Sequence, residues 1–397
     1  MSNPTTELAQ AIDVAIVGGG IAGAWLLRNL TDHGYSVALF ERDGWGSDQT
    51  LASQGMIHGG LKYALSGALT SESEAIASMP ARWRACLENQ GTAPGDVGLG
   101  NVPLLSDNYV MYAEPSTLGR LTTFFASKAL RGRIEKLARP DWPEGFAGFD
   151  GVVYALNDFV MDTSALLTHL VSGLESSTWQ MGVDKGNVKA SDQGYEITTP
   201  DGLLKARTLI SCAGNGSEAL MADVGVAGLG IQRRPLKQVW VRPAHNVSLW
   251  AHCLTGVKGS EPRLTITSHQ DPYHDGGLVW SLGGRLSTQG IRRSDDEQIQ
   301  EAERELKACV PWLDWQGADY QTHTIDRAEP TAASGLKPDE AYAERQGDFI
   351  LAFPTKLTLT PDMADRVRAL LPDPQGGACP ASSQPVPLGA ARWSGHA

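Results

Sequence analysis

The order of hydrophobic and polar positions near the N-terminus predicts a strand, a turn, a helix and a second strand. Residues 12–17 are a short apolar run rich in β-branched side chains, and residues 36–41 are a second one. Between them, residues 24–30 carry apolar side chains at helical spacing, after three consecutive glycines at 18–20. Such a βαβ unit of about 30 residues is typical of a parallel sheet with helices packed on it.

The rest of the chain first mixes helical and strand patterns and then becomes rich in strands. Helices are predicted at residues 69–90, 115–130, 163–174, 294–309 and 357–371. Strands are predicted at residues 102–112, as a pair, and at 179–188, 195–199, 207–212, 238–241, 264–267 and 278–282. After Pro372 the sequence is rich in Pro, Gly, Ala and Ser, which predicts a surface tail with little regular structure.

Length and composition are those of a globular protein. The chain has 397 residues, 42% of them hydrophobic and 20% charged, which suits two to three domains or one large α/β enzyme and argues against a small binding module. The formal net charge of -12 opposes attraction to phosphate backbones, so no nucleic-acid partner is expected.

Cysteine spacing and the N-terminal sequence indicate the cellular compartment of the protein. The five cysteines are far apart and never form a Cys-x-x-Cys pair, which indicates neither a disulfide framework nor a zinc site and favours a reducing compartment. The N-terminus has no basic region typical of a signal peptide, and no segment has the roughly 18 uncharged apolar residues of a membrane span. We therefore expect a cytoplasmic protein without a metal.

Gly18, Gly20 and Gly23 form a Gly-x-Gly-x-x-Gly motif between the first strand and the helix. In this position the first glycine permits a tight turn, the second lets the backbone approach a pyrophosphate, and the third lets the helix lie close to the sheet. The helix N-terminus adds free N–H groups and partial positive charge. Glu41, at the end of the second strand, is suited to bind ribose hydroxyls. The motif therefore predicts a dinucleotide site.

Residues 47–63 extend this motif into a family resemblance. Residues 57–63, Ile-His-Gly-Gly-Leu-Lys-Tyr, are similar to the IHGGLRY segment of FAD-dependent glycerol-3-phosphate dehydrogenases, with Lys62 in place of arginine. The chain thus resembles the superfamily of FAD-dependent oxidoreductases that contains D-amino-acid oxidase and glycerol-3-phosphate dehydrogenase.

Further segments resemble the same superfamily in the same order. Residues 206–215 resemble the strand and turn that return beneath FAD, and residues 350–358 resemble its closing GGKLTT segment, with Pro354 and Thr355 in place of two glycines. Weaker matches lie at residues 234–238, 281–285 and 324–330. No second Gly-x-Gly-x-x-Gly motif follows a strand, so a separate nicotinamide domain is not expected.

The resemblance implies an α/β fold in which a Rossmann-like, glutathione-reductase-like FAD-binding domain is interleaved with a substrate domain built on a mixed or antiparallel β-sheet. It assigns residues 12–66, 160–228 and 322–371 to the FAD-binding domain, residues 67–159 and 229–321 to the substrate domain, and residues 372–397 to the tail. Ligand sites are common between domains, and we expect the pocket there.

The resemblance also implies FAD as the cofactor. Its contacts are expected from the glycine turn, the end of the second strand and the segments that return to the flavin. The expected residues are Gly18, Gly20, Ile21, Ala22, Gly23, Glu41, Arg42, Ser53, Gln54, Gly55, Ala213, Gly214, Thr355, Lys356, Leu357 and Thr358.

Candidate catalytic residues follow from the same segments. Arg327 is expected to clamp a substrate anion, because a guanidinium holds carboxylate or phosphate with two hydrogen bonds; the alternative is an ion pair with Asp326 or Glu329. Lys62 matches an arginine at the family's substrate end or is a solvated lysine. His58 contacts the flavin, abstracts a proton or has a structural role.

The closing segment and two strands supply further candidates. Lys356, with the N–H groups around it, is expected to stabilise negative charge on the reduced flavin, and Thr358 either belongs to this group or caps a helix. Lys237, Gln238 and Arg285 are expected in the substrate pocket because of the family's strand order.

The implied function is an FAD-dependent dehydrogenase or oxidase that takes a hydride from a CH–OH or CH–NH carbon of a small anionic substrate. Glycerol 3-phosphate, a hydroxy acid and an amino acid all fit. The alternative is an FAD-binding subunit or regulator without redox turnover. Oxygen, a quinone or a carrier protein remains open as electron acceptor, and a quinone implies peripheral contact with the inner face of the membrane. Covalent attachment of FAD at His58 also stays open.

Overall fold

The computed structural model describes residues 11–60, 71–100, 102–114, 134–255, 261–271, 276–331, 340–377, 379–391 and 393, with the backbone alone described for 71–75. Strands within these ranges are β1 (Ile12–Val17), β2 (Val37–Glu41), β3 (Met56–Ile57), β4 (Leu104–Ser106), β5 (Tyr109–Ala113), β6 (Ile134–Lys136), β7 (Val152–Leu156), β8 (Phe159–Met161), β9 (Thr178–Gln180), β10 (Val188–Ser191), β11 (Gly194–Thr199), β12 (Gly202–Ser211), β13 (Ile231–Arg242), β14 (Ala251–Cys253), β15 (Leu264–Asp271), β16 (Gly277–Gly283), β17 (Asp319–Pro330), β18 (Tyr342–Gln346) and β19 (Phe349–Phe353). The α-helices are α1 (Ile21–Asp32), α2 (Ser71–Leu87), α3 (Thr163–Val171), α4 (Ser217–Asp223), α5 (Arg285–Gly290), α6 (Asp295–Cys309) and α7 (Thr360–Leu370).

The N-terminal βαβ unit forms the centre of the first sheet. β1 runs parallel to β2 on one side and to β12 on the other, and all its residues are buried, as in parallel strands covered on both faces. The strand order is β10-β11-β12-β1-β2-β9, and β19 pairs in parallel with the end of β12 and antiparallel with β18. Three separated stretches of chain therefore build this sheet.

Helices α1, α3 and α7 pack together beside this sheet. Trp25 of α1 is fully buried, and its ring centroid lies 4.9 Å from that of Trp83 in α2. The Trp83 Nε1–H also donates to the Thr358 carbonyl at 2.9 Å. Helix α2 thus packs with the first sheet's core, although the sequence assigns it to the substrate domain.

The second large sheet is mixed, with the order β17-β13-β16-β15-β14-β5-β7-β6. Its longest ladder joins β13 and β17 antiparallel, from the Ile231–Pro330 pair to the Arg242–Asp319 pair. Helices α5 and α6 pack against β13, and Ser294 and Glu297 form a capping box that begins α6. The chain therefore has the predicted α/β fold, with a mixed, largely antiparallel second sheet.

Several boundaries differ from the sequence prediction. β17 pairs with β13 in the second sheet, so the predicted domain boundary at residue 322 falls inside a strand of that sheet. The strand predicted at 179–188 is two short strands, β9 and β10, because Asp184 and Asn187 form a turn between them. The helix predicted at 115–130 lies outside the described residues.

The C-terminal tail packs against both large sheets. The Trp45 Nε1–H, beyond β2, donates to the Val386 carbonyl at 3.0 Å. Farther along the tail, the Trp393 ring lies 5.9 Å from that of Trp240 in β13. Val386 and Trp393 are buried, so part of the predicted surface tail belongs to the packed protein.

Candidate active site

A cleft of about 1110 Å³ has walls from both large sheets. One wall is formed where β1, β2 and β12 end, and the other by residues of β13 and β17. Sites of small ligands commonly occupy about 300–1,000 Å³, so this cleft has room for a dinucleotide and a small substrate. Ligands of open α/β sheets bind at the carboxyl ends of parallel strands, which is where the first wall lies.

The turn from β1 to α1 brings backbone close to backbone. Gly18 has φ +110°, and a Cβ there would collide with the carbonyl of Cys212. A Cβ on Gly23 would collide with the carbonyl of Gly18, so Gly23 allows α1 to approach the turn and does not itself line the cleft. Gly20 lines the cleft. Glycine is therefore required at 18 and 23 by the packing of the turn itself.

Helix α1 begins at the cleft without a capping side chain. The Ile21 N–H donates to Thr50 Oγ1 at 3.0 Å, and both Ile21 and Ala22 line the cleft. Apart from the amide bonded to Thr50, a helix N-terminus presents amide donors and partial positive charge. A turn with no Cβ at Gly20 and this open helix end together fit the pyrophosphate of FAD.

Glu41 ends β2 and lies across from the glycine turn. Its carboxylate accepts the Gly19 N–H at 2.6 Å and the Asp43 N–H at 2.8 Å, and it lines the cleft. Carboxylates in this position suit the hydroxyls of an adenosine ribose. Arg42 also lines the cleft, but its guanidinium pairs with Asp43 at 2.8 Å near the surface.

The segment after β2 contributes both to the cleft and to the contact between the sheets. Ser53 and Gln54 line the cleft, yet Gln54 Nε2 donates to the Ser281 carbonyl of β16 at 2.9 Å, so this side chain holds the second sheet in place. Gly55 has φ +69°, and a Cβ there would collide with the Met161 carbonyl. Gly55 therefore shapes the chain and lies outside the cleft lining.

The remaining predicted cofactor residues form a second group beyond β12 and β19. Ala213, Gly214, Lys356 and Leu357 line the cleft. Thr355 also lines it and has φ +57°, a left-handed conformation that is uncommon for a β-branched residue. The positive φ explains why glycine is usual at this position in the related segment.

Thr358 is buried and absent from the cleft lining. Its hydroxyl donates to the His58 carbonyl at 3.2 Å, so it joins the closing segment to the segment after β3. Helix α7 begins two residues later, without a side-chain cap. Neither role expected for Thr358, flavin contact or helix capping, matches this placement.

Two arginines face each other in the second wall. Arg234 of β13 and Arg327 of β17 are directly paired in register and both line the cleft. Arg327 Nε donates to the Arg234 carbonyl at 3.2 Å, and Arg234 Nε lies 3.6 Å from a Glu329 carboxylate oxygen. Glu329 thus pairs with Arg234, and Arg327 forms no ion pair with another described side chain. Burial lowers the pKa of Arg327 below its ordinary value.

Neighbouring residues of β13 point to opposite sides of the sheet. Gln238 lines the cleft, and its buried Oε1 has no hydrogen-bond partner within the described ranges. Lys237 is 7% exposed, and its ammonium bonds the Arg293 carbonyl and the Asp295 carboxylate, each at 2.7 Å. Lys237 therefore lies on the α6 side and outside the cleft lining, which corrects the expectation that both residues share the pocket.

The other predicted substrate residues have mixed positions. Arg285 begins α5 and is absent from the cleft lining, although the adjacent Gly284 is present. His58 lines the cleft, and its Nδ1 accepts the Gly60 N–H at 3.2 Å, which leaves the ring proton on Nε2 in the neutral form. Lys62 lies outside the described residues.

A buried carboxyl and a buried imidazole also line the cleft. Asp158, between β7 and β8, is 5% exposed, and burial raises its pKa to about 7. His252 of β14 has a pKa lowered to about 4 by burial, so its imidazole is neutral at neutral pH. Perturbed ionisable groups in a cleft are candidates for proton chemistry.

Sequence reasoning missed Arg234, Thr50 and Asp158. Arg234 could have been found from the alternation of side chains along β13. Side chains an even number of positions apart in a strand share a face, and Gln238, four positions after Arg234, was already expected in the pocket. Thr50 lies in the small polar segment after β2, where no local pattern selects it. Asp158 is not part of a recognisable motif. Its pKa is raised by burial, which depends on the whole fold.

The described residues contain no group of three or more His, Cys, Asp and Glu side chains suited to hold a metal ion. Among the helices in these ranges, none is long and apolar enough to cross a bilayer.

Comparisons with known sequences identify relatives over most of the chain. Residues 13–351 match the DAO family model of FAD dependent oxidoreductases. A probable FAD-dependent oxidoreductase of Pseudomonas aeruginosa is 42% identical over 369 residues, which cover 91% of each chain. A glycine oxidase of Geobacillus kaustophilus is 24% identical over 224 residues, which cover 54% of this chain and 58% of that protein.

Comparisons with solved structures agree. The crystal structure of an FAD dependent oxidoreductase from Pseudomonas aeruginosa has a TM-score of 0.79 and 35% identity, with 97% of this chain and 99% of that chain covered. An L-α-glycerophosphate oxidase from Mycoplasma pneumoniae with FAD bound shares the fold, with a TM-score of 0.64, 17% identity, and 91% and 95% of the two chains covered. The chain therefore belongs to the DAO family of FAD-dependent oxidoreductases, and FAD is its cofactor.

Proposed function

We propose that this oxidoreductase removes a hydride from a carbon bearing a hydroxyl or amino group in a small anionic substrate, which Arg234 and Arg327 bind. The observation that carries the proposal is the register pair of the two arginines, both of which line the cleft. Like charges directly opposite each other in a sheet are destabilising. A substrate carboxylate or phosphate between them would offset this repulsion.

Arg327 is the member of the pair with donors left for an anion. Glu329 lies 3.6 Å from Arg234, and Glu329 and Glu261 both interact electrostatically with Arg327. Arg327 is half-buried and donates only through Nε, to a backbone oxygen, within the described part of the chain. Its lowered pKa reflects the cost of burying this cation. A bidentate carboxylate or phosphate would bond the two remaining nitrogens.

We also propose that the cofactor end of the cleft is the glycine turn. Gly18, Gly20 and Gly23 shape the turn, the α1 N-terminus would bind the pyrophosphate, and Glu41 would bind the ribose. Lys356 and the backbone of Thr355 and Leu357 would contact the flavin. FAD supplies the two-electron acceptor for the substrate hydride when it is bound.

The substrates that relatives name are consistent with the proposal. One relative is a glycine oxidase and another a glycerol-3-phosphate dehydrogenase, and glycine and glycerol 3-phosphate each combine an anionic group with an amine or hydroxyl. We extend this combination to the present protein as a substrate class and do not choose between the two groups here. A cytoplasmic location remains a prediction, supported by five cysteines that are all free thiols.

The test is anaerobic mixing of the FAD-loaded protein with glycerol 3-phosphate, hydroxy acids and amino acids, recorded as loss of the visible flavin bands. Arg327→Met is expected to weaken binding of the active substrate by about 2–3 kcal/mol, or roughly 30-fold to 160-fold. Arg233→Met is the matched control, because Arg233 is exposed on the same strand and pairs with Glu218.

Two results would contradict the proposal. If no compound of the panel bleaches the flavin, the protein is not an oxidase or dehydrogenase of this substrate class. If a compound bleaches it equally well in Arg327→Met and in Arg233→Met, the arginine pair does not bind the substrate. Mixing the bleached protein with oxygen or with a quinone then identifies the electron acceptor.

A further inference from the structure

Asp158 is a buried carboxylic acid in the cleft without an evident structural partner for one of its oxygens. It follows β7 and precedes β8. Oδ1 accepts the Gly59 N–H at 2.9 Å, whereas Oδ2 is buried without a hydrogen-bond partner among the described residues. A buried acceptor without a partner costs about 1–3 kcal/mol, so the Asp158 side chain lowers the stability of the folded protein.

The charged and titratable groups around Asp158 do not include a cation that pairs with it. Tyr109 of β5 interacts with Asp158 electrostatically, and its ring packs at a tilt against that of His252 of β14, with 4.7 Å between the ring centroids. His58 lies next to Gly59 and lines the same cleft. In α2, Arg84 lies over the Phe159 ring and pairs with Asp107 at 2.6 Å. Within the described chain, no ion pair satisfies the carboxylate.

We propose that Asp158 is the residue that takes the proton from the substrate hydroxyl or amino group as the neighbouring C–H bond is broken. The inference rests on the proposed function and adds a catalytic residue to it. In this step the C–H electron pair leaves with the hydrogen as a hydride for FAD, and the O–H or N–H electron pair forms the C=O or C=N bond. The released proton forms a bond to the Asp158 carboxylate, so atoms and charge balance.

Position and ionisation both suit this role. Gly59 fixes one carboxylate oxygen from the backbone and thereby orients the second. Burial raises the pKa of Asp158 to about 7, near the value at which a general base works best at neutral pH. His252 is a weaker candidate, because its Nδ1 is 3.0 Å from the Thr265 hydroxyl and burial lowers its pKa to about 4.

The first test is the pH dependence of anaerobic flavin bleaching with a saturating substrate. In the natural protein the rate is expected to rise tenfold per pH unit below an inflection near 7 and then to level off. Asp158→Asn keeps an oxygen for the Gly59 N–H but does not accept a proton. We expect it to lower the rate 10²-fold to 10⁴-fold and to remove the inflection.

The second test does not depend on turnover. Because its pKa is raised, Asp158 binds a proton more tightly in the folded than in the unfolded chain, so its contribution to stability is present at acidic pH and is lost as pH rises from about 4 to about 7. We therefore compare the FAD-loaded variant with the FAD-loaded natural protein at each pH. The melting temperature of Asp158→Asn minus that of the natural protein is expected to be more positive at pH 8 than at pH 5.

His58→Asn is the matched variant for the neighbouring imidazole. Asparagine preserves an acceptor for the Gly60 N–H, and the inflection near pH 7 is expected to persist whatever the rate becomes. The inference is wrong if Asp158→Asn keeps the natural rate and pH profile, or if the inflection disappears in His58→Asn instead. If no substrate bleaches the flavin, the proposed function fails and this inference fails with it; if substrates bleach both proteins alike, only the inference fails.

Discussion

The two ends of the cleft are built in different ways. At the glycine end, Gly18, Gly20 and Ile21 lie within four positions of one another, and backbone atoms form the site. At the arginine end, Arg234 and Arg327 are 93 positions apart and meet because β13 pairs with β17. The first end depends on local backbone geometry and the second on the register of a long-range ladder.

This difference determines how each end responds to change. A substitution at the glycine turn disturbs packed backbone, for which no side-chain movement compensates. A substitution at the arginine pair removes a charge from a wall that remains paired through its backbone. We therefore expect substitutions in the glycine turn to abolish FAD binding, and substitutions of the arginines to weaken substrate binding only in part.

The largest expected effect is that of Gly18→Ala. Its Cβ would meet the Cys212 carbonyl in a backbone with φ +110°, and we expect a cost of about 3 kcal/mol or more and a protein without bound FAD. The flavin absorbance per chain after purification and reconstitution measures this. Gly34→Ala is the control, because φ is +84° there but no atom lies within 4 Å of the added Cβ.

Gly34→Ala is expected to lower stability by about 1 kcal/mol through backbone strain alone and to bind FAD fully. Equal loss of FAD in both variants would show that a positive φ matters in general and that the turn has no special role in the site.

The next effect separates adjacent residues of β13. Gln238→Leu removes the polar group that lines the cleft and is expected to weaken substrate binding by about 1–1.5 kcal/mol, roughly tenfold. Lys237→Met is expected to leave the substrate KM within about twofold, since the residue faces α6, and to lower the free energy of unfolding by about 1 kcal/mol. Steady-state kinetics measure the KM, and denaturant titration measures the free energy of unfolding. A raised KM in Lys237→Met with an unchanged KM in Gln238→Leu would place Lys237 in the pocket.

A smaller effect tests the charge balance of the arginine pair. Glu329→Gln removes the carboxylate 3.6 Å from Arg234, so the pair becomes more positive and binds anions more tightly. We expect acetate to bind about fivefold more tightly, a gain of about 1 kcal/mol, as measured by perturbation of the flavin spectrum. Weaker acetate binding would mean that Glu329 is needed to position the arginines.

The smallest expected effect is at Thr355. Replacement by glycine removes the strain of φ +57° but also removes the hydroxyl that donates to the Glu340 carbonyl at 2.9 Å. The two contributions oppose each other, and we expect the free energy of unfolding to change by less than about 1 kcal/mol with FAD binding intact. Loss of FAD would show that the Thr355 side chain contacts the cofactor.

The same contrast explains what the sequence could predict. The βαβ unit, the glycine turn and Glu41 are encoded by local spacing, and the structure places them together at the carboxyl ends of β1 and β2. The arginine pair depends on the register of two distant strands, which no local pattern specifies. The domain boundary expected at 322 falls within β17, because the sheet to which a strand belongs is not visible in its sequence until its partner is known.

Two further discrepancies concern single residues. Lys237 and Gln238 are adjacent in a strand, and side chains alternate between the two faces of a sheet, so the two cannot share a face. The expectation that both lie in the pocket relied on the family's strand order and did not consider this alternation. Asp158 has no neighbour in sequence that indicates proton chemistry, and its raised pKa arises from burial. Burial and register come from the whole fold.

A crystal structure of the FAD-loaded protein with the product of its bleaching substrate would show directly whether the arginine pair binds the substrate anion. We expect the pyrophosphate at the Gly18–Gly23 turn and the carboxylate or phosphate of the product within hydrogen-bond distance of the Arg327 guanidinium. A product anion bound elsewhere, with Arg234 and Arg327 contacting only protein atoms, would contradict it.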